Sequence, residues 1–299
     1  VWKILNIPAV LKLTRWSEFI PWALPLTLLG ALMAYRFGES IALDRRFWLV
    51  LLANILAVAY AFMVNDIEDA DDDRRNPHRA PFNAITAGEL SVRGAWIAAF
   101  GVAIIGLGSF ALLGLDVFLA GALTIVLGHL YSWRKIRLKA LPLVDILSHV
   151  LMLSALLMVA PYLVYDNQPT IEVWLLIISV TLFSAYGQLH NQWRDFEADR
   201  TAKLKNTASI IGKQATQWTG YASVVVAVIC LAITIFQGAF PLELIGVVIA
   251  AIPIAWLFGR GRDMRGDKSD AKLDQGQVQF LIVVNVVLLA WFFYAWLNP

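Results

Sequence analysis

The chain has 299 residues, 59% of them hydrophobic and only 15% charged, with a mean hydropathy of +0.67. That balance excludes an ordinary soluble domain and places the chain in a membrane. A net charge of +2 gives no reason to expect a nucleic-acid partner, and the single cysteine, Cys230, lies in an apolar run and excludes a disulfide framework.

A spanning helix needs roughly 20 mostly apolar residues. Nine such stretches follow one another at 19–35, 47–64, 93–114, 117–133, 143–165, 171–190, 216–236, 240–258 and 276–297. No basic n-region and cleavage site precede the first, so a secretory signal peptide is not expected. Span 117–133 is short, and span 240–258 starts at Pro241 and contains Pro253, which a membrane helix tolerates when neighbours re-satisfy the freed backbone groups. Trp16, Trp22, Trp48, Trp291 and Trp296 sit near span ends, as interfacial anchors do. The expectation is an all-α, polytopic membrane protein forming a single domain over residues 1–299.

The spans are joined alternately by short links and by longer charged loops at 65–92, 134–142, 191–215 and 260–275. With the N-terminal segment and Arg93, these loops hold 21 of the 24 lysines and arginines; Arg36, Arg45 and Arg46 fall on the other side. The positive-inside rule then puts the N-terminus and the long loops in the cytoplasm, in keeping with a plasma membrane.

The second span runs into Asn65-Asp66-Ile67-Glu68-Asp69-Ala70-Asp71-Asp72-Asp73-Arg74, and the sixth into Asn191-Gln192-Trp193-Arg194-Asp195-Phe196-Glu197-Ala198-Asp199-Arg200. Both read N-x3-D-x3-D-R, they lie 126 residues and four spans apart, and both end at one membrane face. Two repeated four-helix halves plus a ninth helix would set the motifs on opposite sides of one cavity mouth.

If each helix continues through its motif, Asn65, Asp69 and Asp73 share a face, as do Asn191, Asp195 and Asp199. Carboxylates stacked so closely repel unless cations sit among them. Mg²⁺ suits them, because it takes oxygen ligands and usually bridges carboxylates to substrate phosphates. Two such faces would clamp a diphosphate, with Arg74, Arg75, Arg79, Lys135, Arg137, Lys139, Arg200, Lys203 and Lys205 nearby to balance its charge. Asp71, Asp72 and Glu197 read as solvated surface; Asp66 either assists the cluster or faces solvent. Tyr131 and Lys135 stand four apart at the end of the fourth span, Lys135 as a phosphate contact and Tyr131 as diphosphate orienter, pocket wall or anchor. Asp145, just inside the fifth span, either faces the site or caps a helix.

At these residues the sequence resembles the UbiA superfamily of intramembrane prenyltransferases. The family's N-D-x2-D-x3-D motif is matched by Asn65, Asp66, Asp69 and Asp73, its D-x3-D motif by Asp195 and Asp199, and its tyrosine and lysine after the fourth helix by Tyr131 and Lys135. The resemblance implies nine transmembrane helices around a central cavity and a prenyl diphosphate held through Mg²⁺. Catalytic and metal-holding roles fall on Asn65, Asp69, Asp73, Asn191, Asp195 and Asp199, with Asp66 beside them. Diphosphate contacts fall on Arg74, Arg79, Tyr131, Lys135, Lys139, Arg200 and Lys205. The implied reaction ionises the donor to an allylic cation that a lipophilic acceptor attacks; Asp66, Asp145 and His190 are candidates for the final base.

Two departures bear on the acceptor: Arg79-Ala80-Pro81 stands where many members have Arg-Pro, and Lys203-Leu204-Lys205-Asn206-Thr207 where many have glycine before a basic residue and threonine. The stretch from Tyr131 to Asp145 looks more like carotenoid or lycopene elongase-type members than quinone-precursor enzymes. A cyclase acting on the donor without an acceptor is the nearest alternative. A transporter would place ionisable residues near mid-membrane, and a scaffold would tolerate charge-preserving shuffles within each motif.

Overall fold

The computed structural model describes residues 6–38, 44–75, 80–165, 168–201, 204–263 and 269–297, and among these no β-strand occurs. The candidate residues Arg79 and Lys203 lie outside the described residues.

A short helix, α1 (Ile7–Thr14), opens the chain in what the sequence suggests is a plain N-terminal segment. It starts at a proline, buries Ala9 and Leu13 and leaves Ile7 and Leu11 outside, the pattern of a helix lying in the membrane interface. Eight long apolar helices follow: α2 (Trp16–Phe37), α3 (Arg45–Arg74), α4 (Val92–Ala111), α5 (Leu115–Ser132), α6 (Val144–Leu163), α7 (Ile171–Arg194), α8 (Lys213–Phe236) and, last in the chain, α10 (Lys272–Leu297). Between these last two comes α9 (Leu244–Phe258).

Every expected span is therefore a helix, but α9 has only 15 residues, with Pro253 inside. At 1.5 Å per residue it reaches about 22 Å, short of a hydrocarbon core of roughly 30 Å. The count of full-length spans among the described residues is eight, not nine. Outward residues such as Ile104, Phe236, Ile249 and Leu257 are exposed, as a lipid-facing belt requires. Trp291 is not an interfacial anchor: it is 2% exposed and packs on Phe240.

The helices pack in series, α7 on α6, α6 on α5, α5 on α3, α3 on α2, α2 on α10 and α10 on α9, with α2 also against α6, α8 against α7 and α4 outside against α3 and α5. Small residues set the closest approach. A Cβ built on Gly30 of α2 would lie 2.1 Å from the Met158 carbonyl oxygen of α6, so only glycine fits there. Buried Asn54 of α3 ties the same helices together, donating to Thr27 Oγ1 and to the Leu157 carbonyl, each at 2.9 Å. Such polar links count in a membrane, where the hydrophobic effect does not hold one helix against another.

The bundle holds a cavity of about 2010 Å³. All the long helices but α4 line it, together with α9. Along α10 the lining runs from Lys272 to Leu288, about 24 Å at 1.5 Å per residue.

Candidate active site

The acidic motifs are built by two differently shaped helix ends. α3 runs unbroken to Arg74, so Asn65, Asp69 and Asp73 do follow one face. α7 stops at Arg194; Asp195 caps it and a separate helix, Phe196–Thr201, carries Asp199. The continuous second face expected from the spacing is thus kinked at Asp195, although the Asp199 amide still donates to the Asp195 carbonyl at 2.9 Å.

Asn65, Asp66 and Asp73 from the first motif and Asn191 from the second line the same end of the cavity. Asp69 lies just outside that lining, and the segment between α5 and α6 delivers cations to it. Lys139 Nζ is 2.5 Å from Asp69 Oδ2 and 3.0 Å from Asn65 Oδ1, and the Arg137 guanidinium is 3.5 Å from Asp69 Oδ1. Ser132 at the end of α5 also donates to Asn65 Oδ1, at 2.9 Å. Burial pushes the Lys139 ammonium below the usual lysine range, and the Asp69 charge opposes that shift. Arg137 and Leu143, on either side of Lys139, take φ of 51° and 67°. Non-glycine residues rarely hold such angles, which cluster where geometry is imposed by a site.

The second motif is tied to that same segment. Asn206 donates to Asp199 Oδ2 at 2.8 Å, and its neighbour Thr207 accepts from the Leu143 amide at 2.8 Å. Asp145, 0% exposed, accepts from Gln192 Nε2, the Thr207 amide, the Thr207 hydroxyl and the Ile146 amide. It does not line the cavity, and beyond the Ile146 amide of its own helix its partners are Gln192 and Thr207, so it is an internal anchor, which neither the expected place at the site nor a plain helix cap describes.

Asp66 is 4% exposed, faces the cavity and pairs with Arg15 at 3.4 Å, while Arg15 also grips Glu18 at 2.5 Å. Asp73 accepts from Asn83 Nδ2 at 3.0 Å. Asp71 and Asp72 pair with surface arginines, as expected of solvated residues.

The predicted cations separate into two groups. Lys139 is inside the site. Lys135 is not: α5 ends at Ser132, so Lys135 leaves the face of Tyr131 and lies over the Trp133 ring at 5.4 Å, exposed. Arg74 turns to Asp71 at 3.3 Å, Arg200 lies 4.0 Å from Glu197, and Lys205 is exposed. Tyr131 is a cavity wall residue whose hydroxyl accepts from Gln188 Nε2 at 3.0 Å. His190 pairs with Asp274 at 3.3 Å. Sequence reasoning missed Ser132, Asn83, Gln188 and the ion pair of Arg15 with Asp66, which are contacts between residues distant in sequence and carry no local motif.

The donor set fits a hard cation. Asn65 and Asp69 offer oxygen only, the Lys139 ammonium lies between them as a positive charge would, and buried Asp69 Oδ1 accepts no hydrogen bond. Among the described residues no three acidic, histidine or cysteine side chains gather into a cage. The fit rests on Asn65 and Asp69, since Mg²⁺ takes one or two carboxylates and fills its shell with water and phosphate oxygens.

Comparison with known proteins agrees with this arrangement. The chain is 31% identical over 216 residues to the lycopene elongase/hydratase of Haloferax volcanii, covering 68% of each. It is 27% identical to the homogentisate phytyltransferase of Synechocystis sp., covering 84% of this chain and 80% of that one. A UbiA homolog from Archaeoglobus fulgidus, solved bound to GPP and Mg²⁺, shares the fold with a TM-score of 0.65 at 23% identity, over 93% of this chain and 99% of the other. With residues 23–283 also matching the model of that family, the integral membrane bundle with two acidic motifs at one cavity end belongs to the UbiA prenyltransferase family.

Proposed function

We propose that this protein transfers a prenyl group from a prenyl diphosphate, held with Mg²⁺ at the Asn65–Asp73 and Asn191–Asp199 motifs, to a long polyisoprenoid hydrocarbon of the carotenoid kind. The observation that carries this reading is the cavity: about 2010 Å³ with Asn65, Asp66 and Asp73 of the first motif and Asn191 of the second on its wall. Pockets for one small ligand usually measure roughly 300–1,000 Å³, so this one has room for an acceptor beside the donor, which favours transfer over cyclisation. Two of the three lysines and arginines that line it, Lys12 and Arg15, are paired to Glu89, Glu18 and Asp66, which leaves these two poor receptors for an acid headgroup. The likeness to a lycopene elongase/hydratase supports the same acceptor class.

Mg²⁺, when bound, would neutralise charge developing on the departing diphosphate. The protein's part begins with Asn65, Asp69 and Asp73 on one side and Asn191, Asp195 and Asp199 on the other, which would hold the metal and orient the donor. Lys139 stabilises the leaving group with its ammonium, and Arg137 adds a second charge at the same place. Tyr131, Phe62 and Leu153 line the same cavity as the motif residues and would keep water from the allylic cation.

The test is the purified protein in lipid with labelled prenyl diphosphates of C5 to C20, with and without Mg²⁺, and with lycopene or homogentisate as acceptor. A Mg²⁺-dependent product with lycopene supports the proposal. A product with homogentisate alone reassigns the acceptor, product without acceptor means cyclisation, and no diphosphate release with any donor overturns the enzyme reading.

Lys139 and Lys135 separate the site from the motif match. Lys139→Ala is expected to lower kcat about 100-fold, the scale of losing one charged stabiliser, and Lys135→Ala to stay within about threefold because Lys135 reaches only Trp133. Steady-state kinetics of the two variants decide it.

The motif end faces the cytoplasm of a plasma-membrane protein on this reading, supported by 21 of the 24 lysines and arginines lying on that side in the sequence. Cys230 is buried. A membrane-impermeant thiol label should therefore modify Lys135→Cys in inside-out vesicles and not in intact cells; the reverse pattern would invert the topology.

A further inference from the structure

The proposed transfer ends with a proton to be removed, and Asp145, His190 and Asp66 are poorly placed to take it. Asp145 is sealed off from the cavity by four donors, His190 is held by Asp274, and Asp66 is held by Arg15. Deeper on the wall, α6 departs from α-geometry. Residues Leu151–Ala155 form a π-turn, in which the Leu156 amide reaches back to the Leu151 carbonyl, and Met152, Leu153 and Ser154 all reach the cavity. Single π-turns inside α-helices occur mostly at functional sites.

Two polar groups on this wall have no partner among the described residues. Thr27, Ser109, Thr124 and Ser148 each donate to the carbonyl four residues back, the usual fate of a helical hydroxyl. Ser154 does not: it is 1% exposed and its Oγ makes no hydrogen bond. His149, just before the turn, lines the same cavity with its ring 6.1 Å from that of Tyr131, and neither ring nitrogen is hydrogen-bonded. Tyr131 adjoins Ser132, which holds Asn65, so the imidazole lies immediately inside the diphosphate end.

From this placement we infer that His149 is the proton acceptor of the transfer, resting on the reading of the protein as a prenyltransferase. The π bond of the acceptor's terminal alkene attacks the allylic carbon as the carbon–oxygen bond to diphosphate breaks, leaving a tertiary cation on the acceptor. A neighbouring C–H bond then gives its proton to a free nitrogen of His149, and its electron pair becomes the new alkene. The products are the extended polyene, diphosphate and an imidazolium that returns its proton to water at the mouth. Ser154, whose hydroxyl has no partner, lies on the same wall, and its substitution reports on the π-turn without removing the base.

The test compares wild type, His149→Gln, Ser154→Ala and Tyr131→Phe in lipid, measuring diphosphate release and alkene product in the same reaction with lycopene and Mg²⁺. His149→Gln is expected to release diphosphate within about threefold of wild type while its alkene yield per diphosphate falls at least about tenfold, less than the roughly 100-fold or more that a general base contributes because other acceptors can still take the proton from the cation. The missing product appears as alcohol, from water adding to the same cation, or as shifted alkene. Added imidazole should restore the alkene in His149→Ala, which decides the matter if the glutamine variant does not fold. Wild-type product distribution in His149→Gln, or diversion in Tyr131→Phe instead, overturns the assignment. Absence of diphosphate release by wild type would fail the transferase reading itself and is seen before any variant is made.

Discussion

Asp69→Asn is expected to lower Mg²⁺-dependent turnover by about 10³-fold, a little more than loss of one preorganised electrostatic contact. Two losses add in this one atom change. Asp69 is the carboxylate around which the first motif is assembled, with Oδ2 on Lys139 at 2.5 Å, Oδ1 facing Arg137 at 3.5 Å, and Oδ1 without a hydrogen bond. An amide there is a weaker ligand for a hard cation. It also leaves Lys139, whose side chain is 13% exposed, without its charge partner, and a buried charge stripped of its partner is costly. Asp72→Asn is the matched control. It removes the same charge three residues on, from a half-exposed side chain that pairs only with arginines at 3.5 and 3.7 Å, and should change turnover by less than about threefold. Equal losses in both variants would mean that net acidity of the loop, not the position of Asp69, supports activity. Binding of donor diphosphate with and without Mg²⁺, measured on folded protein, separates a lost metal from a lost fold.

The contrast between Asp69 and Asp72 also marks what the sequence makes legible. Hydropathy locates every spanning helix because backbone polar groups in lipid must be satisfied within a helix, which leaves long apolar runs with few alternatives. The motif residues are legible because a repeated spacing survives as text. What fails is geometry at the helix ends. Tyr131 and Lys135 share a face only if α5 continues, and it stops at Ser132; Asn191, Asp195 and Asp199 share one only if α7 continues, and it caps at Asp195. Helix termini are set by tertiary contacts, here the hold of Thr207, Asn206 and Arg137 on the segments beyond, and these link residues tens of positions apart. His149 and Ser154 escape detection for a related reason. A histidine and a serine in an apolar run look like packed residues until a π-turn shows that they face a cavity.

The largest stability effect is expected at Asp145, and its cause lies in a single-atom count. Oδ2 accepts from Gln192 Nε2 and the Thr207 amide, each at 2.7 Å, while Oδ1 accepts from the Ile146 amide at 2.8 Å and from the Thr207 hydroxyl. In Asp145→Asn one of the two positions becomes an NH₂ group in a place closed to water: at Oδ2 it faces two N–H donors, and at Oδ1 it faces the Ile146 N–H beside a Thr207 hydroxyl that must turn from donor to acceptor. Each unsatisfied buried donor costs roughly 1–3 kcal/mol, which puts the variant about 2–5 kcal/mol below wild type in thermal or denaturant unfolding. The loss extends to function through a definite path. Thr207 holds Leu143 at its positive φ on one side and follows Asn206, the partner of Asp199, on the other. Asp145 is therefore a positioning residue for the second motif. At a temperature where the variant remains folded, its affinity for the prenyl diphosphate with Mg²⁺ should fall by about tenfold. Thr207→Ser, which keeps both the hydroxyl and the amide, should stay near wild type in both measurements, and Thr207→Val should follow Asp145→Asn in both. A variant that loses stability while donor affinity stays at the wild-type value would confine Asp145 to the scaffold and leave the second motif positioned by the backbone of α7 and its cap.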